Sequence, residues 1–365
     1  RGGHPVKDLG RAESPRRGML PKLIVSLVIG GLFAWVSERG GVPIFPHAQA
    51  FAGMEWGRVG FAVMLLFALT VVRATRWRFL IAPVKHIPIG EVILLNWVGF
   101  FAIFALPLRL GEFARPALSK MRARVPISAG LGTVAVERVV DGTLTSLCVA
   151  WALWTLPRLQ TQDRVAQAVP YYAGLVLVVF ACALVALVAF LWKRGFAVRF
   201  TQTLVGFVSR PLGDVIARKV DGVADGLRSI GNARLFFGFL LETFVYWGLN
   251  AWYMWELGRA VGLDMAFGHA VAIMGVLALG ILLPSGPGLF GSFQVAVSAA
   301  LRLYFVEDLV VSQGSAFVFL LYVTNALMMI AIGVIPLARM HIRMADILAV
   351  RPTDDTIPPP AAMGS

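Results

Sequence analysis

The sequence predicts an all-α polytopic membrane protein with about six full spans plus two re-entrant helical hairpins, arranged as an inverted repeat. Three observations carry this reading. The chain is 58% hydrophobic and 15% charged, with a mean hydropathy of +0.77, too apolar for a soluble domain to cover its surface with polar groups. Several apolar runs approach or exceed ~18 residues, the length of a membrane-spanning helix. Two shorter apolar runs end in matching proline–glycine breaks. The short alternating segments that build a transmembrane β-barrel are not found.

In chain order, the full spans are expected at about 21–37, 57–79, 127–156, 169–192, 234–257 and 309–336. Between the fourth and fifth, the 193–233 segment repeats apolar residues at helical spacing and places Lys and Arg on the other face. It therefore reads as an interfacial amphipathic segment on the cytoplasmic side. The two short runs, 91–106 and 267–283, would span only about 25 Å as helix, less than the ~30 Å hydrocarbon core. Each meets a breaker, ALPLRLGEF at 105–113 and LLPSGPGLF at 282–290. These align without gaps at an offset of 177 residues, Pro107 with Pro284, Gly111 with Gly288 and Phe113 with Phe290. Proline removes a donor and glycine frees φ, so both interrupt a helix. Breaks at corresponding positions of two halves mark inverted-repeat transporters.

Charge decides how these runs sit. The net charge of +13 comes from Lys and Arg gathered in a few loops, as the positive-inside rule expects, which argues against nucleic acid as a partner. The 73–85 loop, with Arg73, Arg76, Arg78 and Lys85, and the 120–124 segment both read as cytoplasmic. A hairpin over 88–122 satisfies both, whereas a single crossing would put one cluster outside. A second hairpin over 265–302 then enters from the outer face. The expected units are a polar tail at 1–18, a first repeat at 19–157, a second repeat at 158–340 and a polar tail at 341–365. Three crossings per half invert the second repeat, with both termini cytoplasmic in a bacterial-type inner or plasma membrane.

Ionisable residues at membrane depth are the places to look for chemistry, since each costs roughly 2.5–3.5 kcal/mol at a helix centre. One cluster is LRLGEFARP, with Arg109, Glu112 and Arg115 at the first break. A helix restarting near Gly111 presents free N–H groups, and arginine adds a bidentate donor set for a phosphate. The same three residues would equally pair among themselves and fix the hairpin. The other cluster is VERVVDG, where Glu137 and Asp141 share a helical face and Arg138 reaches Asp141 at i+3. It fits either a water-filled path or an ion pair that joins helices.

The second break contains Gly286, Gly288 and Gly291 at GxGxxG spacing, with Pro284 and Pro287. No strand is expected before it, so it is not a dinucleotide fingerprint. No Walker-type phosphate loop occurs, so no ATP motor is expected in the chain. Cys148 and Cys182 read as apolar-helix residues, the histidines lack ligand spacing, and neither metal nor cofactor is expected. Asn96, Glu242, Tyr246, Asn250, Gln294, Tyr322 and Asn325 read as interhelical hydrogen-bonding groups, with Asn325 placed in its span much as Asp141 is in the first half. Trp247, Trp252 and Trp255 read as interface-belt residues.

At LPxRxGExxRP (106–116), VERVVDG (136–142) and LPSGPGLFGSF (283–293), the sequence resembles the membrane domain of the lysylphosphatidylglycerol synthase/flippase family, over roughly 20–340. The resemblance implies movement of polar-headed lipids between leaflets, or association with lipid-linked pathways. No aminoacyl-transferase domain follows residue 340 in this sequence, so the synthase activity is not carried over. The expected function is a flippase for a lipid with an anionic or zwitterionic headgroup, without catalytic residues. Arg109, Arg115 and Arg138 would hold the headgroup phosphate. Glu112, Glu137 and Asp141 would balance charge or carry a coupling proton. Pro107, Gly111, Pro284, Gly286, Pro287 and Gly288 would break the hairpins. The alternatives are a membrane subunit that binds lipid for a lipid-modifying enzyme partner and, more weakly supported, an intramembrane enzyme acting on lipid through the paired Glu137 and Asp141.

Overall fold

The computed structural model describes residues 24–25, 27–33, 35, 45–106, 111–192, 226–227, 231–282 and 286–340. Every regular element among them is helical. Residues 27–33 form part of a first helix. Beyond it come α1 (Trp56–Thr75), α2 (Trp77–Ile81), α3 (Ile89–Ala105), α4 (Ala114–Ala123) and α5 (Ile127–Thr155). The second half has α6 (Arg164–Trp192), α7 (Ala233–Ala260), α8 (Phe267–Gly280), α9 (Ser292–Arg302) and α10 (Ser315–Met340). The 193–225 portion of the expected amphipathic segment and the tails at 1–18 and 341–365 lie outside the described residues, as do Pro107, Arg109 and Pro284.

Among the described residues, three stretches are long and apolar enough to cross a membrane: Trp56–Ile81, Arg164–Phe190 and Glu307–Arg339. Ile127–Thr155 and Ala233–Ala260 have ample length, 29 and 28 residues, but carry ionisable side chains along them. Those charges are what set these two helices apart from plain spans. α6 is the opposite case, a strongly apolar helix whose side chains are mostly exposed on the periphery.

The boundary between the expected 57–79 span and the 73–85 loop moves, because helix continues to Ile81 and only residues 82–88 are non-helical before Ile89. Arg73 lies in the last turn of α1, and Arg76 joins α1 to α2 with helical angles, φ −58° and ψ −27°. The cause is burial: Trp77, Leu80 and Ile81 recur at helical spacing and are 0–1% exposed in a core with Leu95, Leu118 and Phe239. Burying such side chains is worth about 1.5–3 kcal/mol each, enough to carry the helix past the arginines.

Both broken segments are antiparallel helical hairpins. In the first, a methyl group added to Gly99 would stand 3.1 Å from Arg115 Cβ, and one on Gly111 would stand 2.1 Å from the Ala102 carbonyl carbon. Residues 111–113 form a short 3-10 turn, and α4 begins at Ala114, three residues after the expected restart. In the second, a methyl on Gly280 would lie 2.4 Å from Ala296 Cβ, while His269 packs 5.2 Å from the Tyr304 ring. The intervening break holds Gly288 at φ +74° and Gly291 at φ +89°, values that favour glycine. Gln294 Oε1 accepts the Gly291 N–H at 2.8 Å and caps α9.

Packing between the halves is reciprocal. α1 lies along α7, α5 packs on α8, and α10 packs on α3. The last long helix of each half thus rests on the first hairpin helix of the other. Gly111→Ala is expected to destabilise the protein by about 1–3 kcal/mol or more, because backbone has to move to admit the methyl. Gly60→Ala, where nothing lies within 4 Å, is expected to stabilise by up to about 1 kcal/mol. Unfolding in detergent for the two variants side by side checks both.

Candidate functional site

The site is built from a chain of ion pairs that the helix positions dictate. Arg76 is 2% exposed and donates two parallel hydrogen bonds to Asp141, Nη1 to Oδ1 and Nη2 to Oδ2, both 2.6 Å. This fork-to-carboxylate geometry is the strongest form of a neutralised pair. Trp247 Nε1 donates to the same Asp141 Oδ1 at 3.0 Å, and Thr243 Oγ1 takes a longer bond from Arg76 at 3.4 Å. Arg76 Nε lies 3.9 Å from Glu137 Oε1. Glu137 is in turn held by Arg115 Nη2, while Arg115 Nη1 donates to Asn96 Oδ1 at 2.8 Å. The sequence Asn96, Arg115, Glu137, Arg76, Asp141, Trp247 therefore links α3, α4, α5, the α1–α2 joint and α7.

Aromatic faces complete the cage. The Arg76 guanidinium lies 4.9 Å from the Tyr246 ring centre, and that of Arg115 lies 5.4 Å from Trp77. Trp77 Nε1 donates to Thr133 at 3.0 Å, so the ring that shields Arg115 is itself anchored on α5. A second link, Arg78 to Glu242 at 2.5 Å with Thr75 donating to the same carboxylate at 2.8 Å, ties the helix end to α7.

A cavity of about 170 Å³ opens on one side of this network. Arg73, Arg138 and Asp141 form its charged lining, and Tyr246, Asn250, Tyr322 and Asn325 its polar lining. Gly288 and Leu289 of the second break also line it. A methyl on Gly288 would meet Tyr322 Oη at 3.0 Å and the Phe104 ring at 3.3 Å, so this break is wedged between α3 and α10. α6 supplies Phe180 to the wall, packed on Gly142 of α5. Non-helical backbone lining a polar cavity is the tolerated arrangement in a bilayer.

The expected site residues separate into distinct places. Arg138 lines the cavity, with its Nε 3.9 Å from Glu112 of the first break. Arg115 and Glu137 are buried behind the lining and engaged with each other. Asp141 lines the cavity but has both oxygens engaged by Arg76 rather than Arg138, contrary to the i+3 expectation. Gly286 stands in extended backbone, and Pro287 starts a 3-10 turn. Asn325 does sit in the same cavity as Asp141, and its Nδ2 donates to Tyr253 Oη at 3.0 Å.

Arg73, Arg76 and Trp247 were not expected at the site. Arg73 and Arg76 share a helical face at i, i+3, and the apolar spacing of Trp77, Leu80 and Ile81 is the signal that they are helical. Trp247, expected in an interface belt, instead donates its indole N–H to Asp141. Among the described residues, no group of three His, Cys, Asp or Glu side chains could hold a metal ion.

Fold and site together define an all-helical membrane protein with two broken hairpins around a charged cavity. The chain belongs to the family described as the lysylphosphatidylglycerol synthase TM region, which matches residues 23–333. Comparison with curated proteins and with solved structures gave no significant match.

Arg76→Ala is expected to cost about 3–5 kcal/mol, the penalty for leaving one buried charge without its partner. Arg76→Met combined with Asp141→Leu is expected to recover most of that loss, because both charges leave together. Unfolding in detergent for the single and double variants measures the coupling.

Proposed function

We propose that this chain moves a polar-headed lipid, phospho-, aminoacyl- or glyco-, between membrane leaflets without an ATP motor. The family's membrane and lipid association supports a lipid-related role. One observation carries the rest: the charged cavity lies where the second break wedges against the first hairpin, walled on its peripheral side by α6. A headgroup in that cavity would leave its acyl chains toward the apolar periphery. α6 packs chiefly on α5, and most of its side chains are exposed.

In this reading the hairpins are re-entrant, and residues 19–157 and 158–340 are the two inverted repeats. The reciprocal packing of α5 on α8 and α10 on α3 supports that symmetry. Both termini face the cytoplasm of a bacterial-type inner membrane. Arg138 meets the headgroup directly, and Arg109 at the first break remains a proposed contact. Arg115 acts from behind, by holding Glu137 and the hairpin in place. Glu137 and Asp141 serve charge balance: Arg76 holds both oxygens of Asp141 and Arg115 holds Glu137 Oε2, while Glu137 Oε1 accepts no hydrogen bond among the described residues. Releasing a proton-accepting oxygen would expose a buried arginine.

The test is lipid translocation in proteoliposomes carrying a fluorescent phospholipid. Arg138→Ala is expected to slow translocation by about tenfold or more, equivalent to ~1.4 kcal/mol of barrier, with an unchanged unfolding temperature. Wild-type protein that leaves the leaflet distribution unchanged, while co-purifying with a transferase, overturns transport in favour of a lipid-binding subunit.

A further inference from the structure

Arg73 and Arg138 are the charged groups of the cavity that the ion-pair chain does not use, and of the two Arg73 has no ion pair among the described residues. It points from the last turn of α1 into the lining beside Arg138 and Asp141. Its guanidinium carbon stands 4.1 Å from the centre of the Phe100 ring and 5.7 Å from that of Tyr246. Among the described residues, it has no hydrogen bond and no salt bridge. Stacking on Phe100 occupies a face of the guanidinium and leaves its N–H edge available to an oxyanion.

Charge around the cavity is unequal. Asp141 is the carboxylate in the lining, and Arg76 and Trp247 already engage it. Glu137 lies behind the lining against Arg115. Glu112 sits 3.9 Å from Arg138 Nε and balances that residue. Among the described residues, Arg73 is left as a cation at a cavity of mixed polar and apolar lining, without a carboxylate of its own. Such a charge is costly unless an anion joins it. A headgroup ammonium entering the same space would face Arg73 and Arg138, and among the described residues the one carboxylate of the lining, Asp141, is already engaged.

We propose that Arg73, with Arg138 beside it, binds the phosphate of a lipid headgroup whose net charge is negative. The cavity then prefers anionic headgroups to zwitterionic ones. This rests on the reading of the cavity as a headgroup site and narrows its substrate class. Arg73 supplies the bidentate donor edge, Arg138 the second cation, and Phe100 the surface that fixes the Arg73 plane.

Purified protein in detergent is titrated with dihexanoyl phosphatidylglycerol, dihexanoyl phosphatidylcholine and inorganic phosphate. The expected result is phosphatidylglycerol bound about tenfold or more tighter than phosphatidylcholine, a difference of ~1.4 kcal/mol. Arg73→Gln abolishes that preference, and Arg73→Lys keeps most of it. Weak competition by inorganic phosphate assigns the site to a lipid phosphate, whereas competition equal to that of phosphatidylglycerol overturns the lipid part of the proposal. Equal affinity for the two lipids in the wild type, or an unchanged preference in Arg73→Gln, overturns it altogether. Should Arg73→Gln fail to fold, the wild type is titrated at about 1 M salt, where exposed charges are screened within ~3 Å. Loss of the preference there supports the proposal, and its persistence overturns it. Failure of transport is separately visible: preference without translocation sinks the transport reading alone, and translocation without preference sinks this inference alone.

Discussion

The bidentate pair between Arg76 and Asp141 is the constraint on which the rest of the site depends. It joins the end of the first long helix pair to the middle of α5, and through Trp247 and Thr243 to α7. A buried ion pair adds little net stability over an apolar pair of the same shape, but it is demanding in geometry. Neither partner can leave without exposing the other, so the helices that carry them are held in register. The Arg115–Glu137 pair extends the same demand to the first hairpin. The two hairpin helices have to stay close for it, and Gly99 and Gly111 permit that approach.

With the scaffold charges neutralised among themselves, the cavity keeps the residues they do not consume. Arg73 and Arg138 face inward, and tyrosine and asparagine side chains supply the remaining polarity. The two breaks divide the labour unequally. The first brings Glu112 and Arg115 to the site, as ionic partners. The second has no ionisable residue and contributes shape, through glycines at positive φ that let its backbone fit between Phe104 and Tyr322.

How much was legible from the chain varies by residue. Glu137, Arg138 and Asp141 stood out because ionisable groups deep in a span are expensive and need a reason. The paired breaks stood out because proline and glycine act locally, on one donor and one dihedral. Arg73 and Arg76 were assigned to a loop because arginines near a span end usually follow the positive-inside rule. That rule weighs a charge by its distance from the span and knows nothing of a carboxylate that lies 65 residues further along the chain. Trp247 lies in the middle of α7, and residue type alone assigns a span's tryptophans to interface belts without regard to such a partner. Its partner comes from another helix.

The sequence by itself determined the all-helical membrane class, the two breaks, the family resemblance and the acidic residues that matter. These follow from properties of short segments, namely hydropathy, helix breaking and the cost of isolated charge. Only the tertiary structure decided which arginine belongs to which carboxylate, and so which remain to face the cavity. Arg138 sits one turn from Asp141 and yet Arg76 holds it, because helix packing sets the direction and depth of each guanidinium. Sequence spacing constrains neighbours on one helix, whereas the contacts that define this site run between helices.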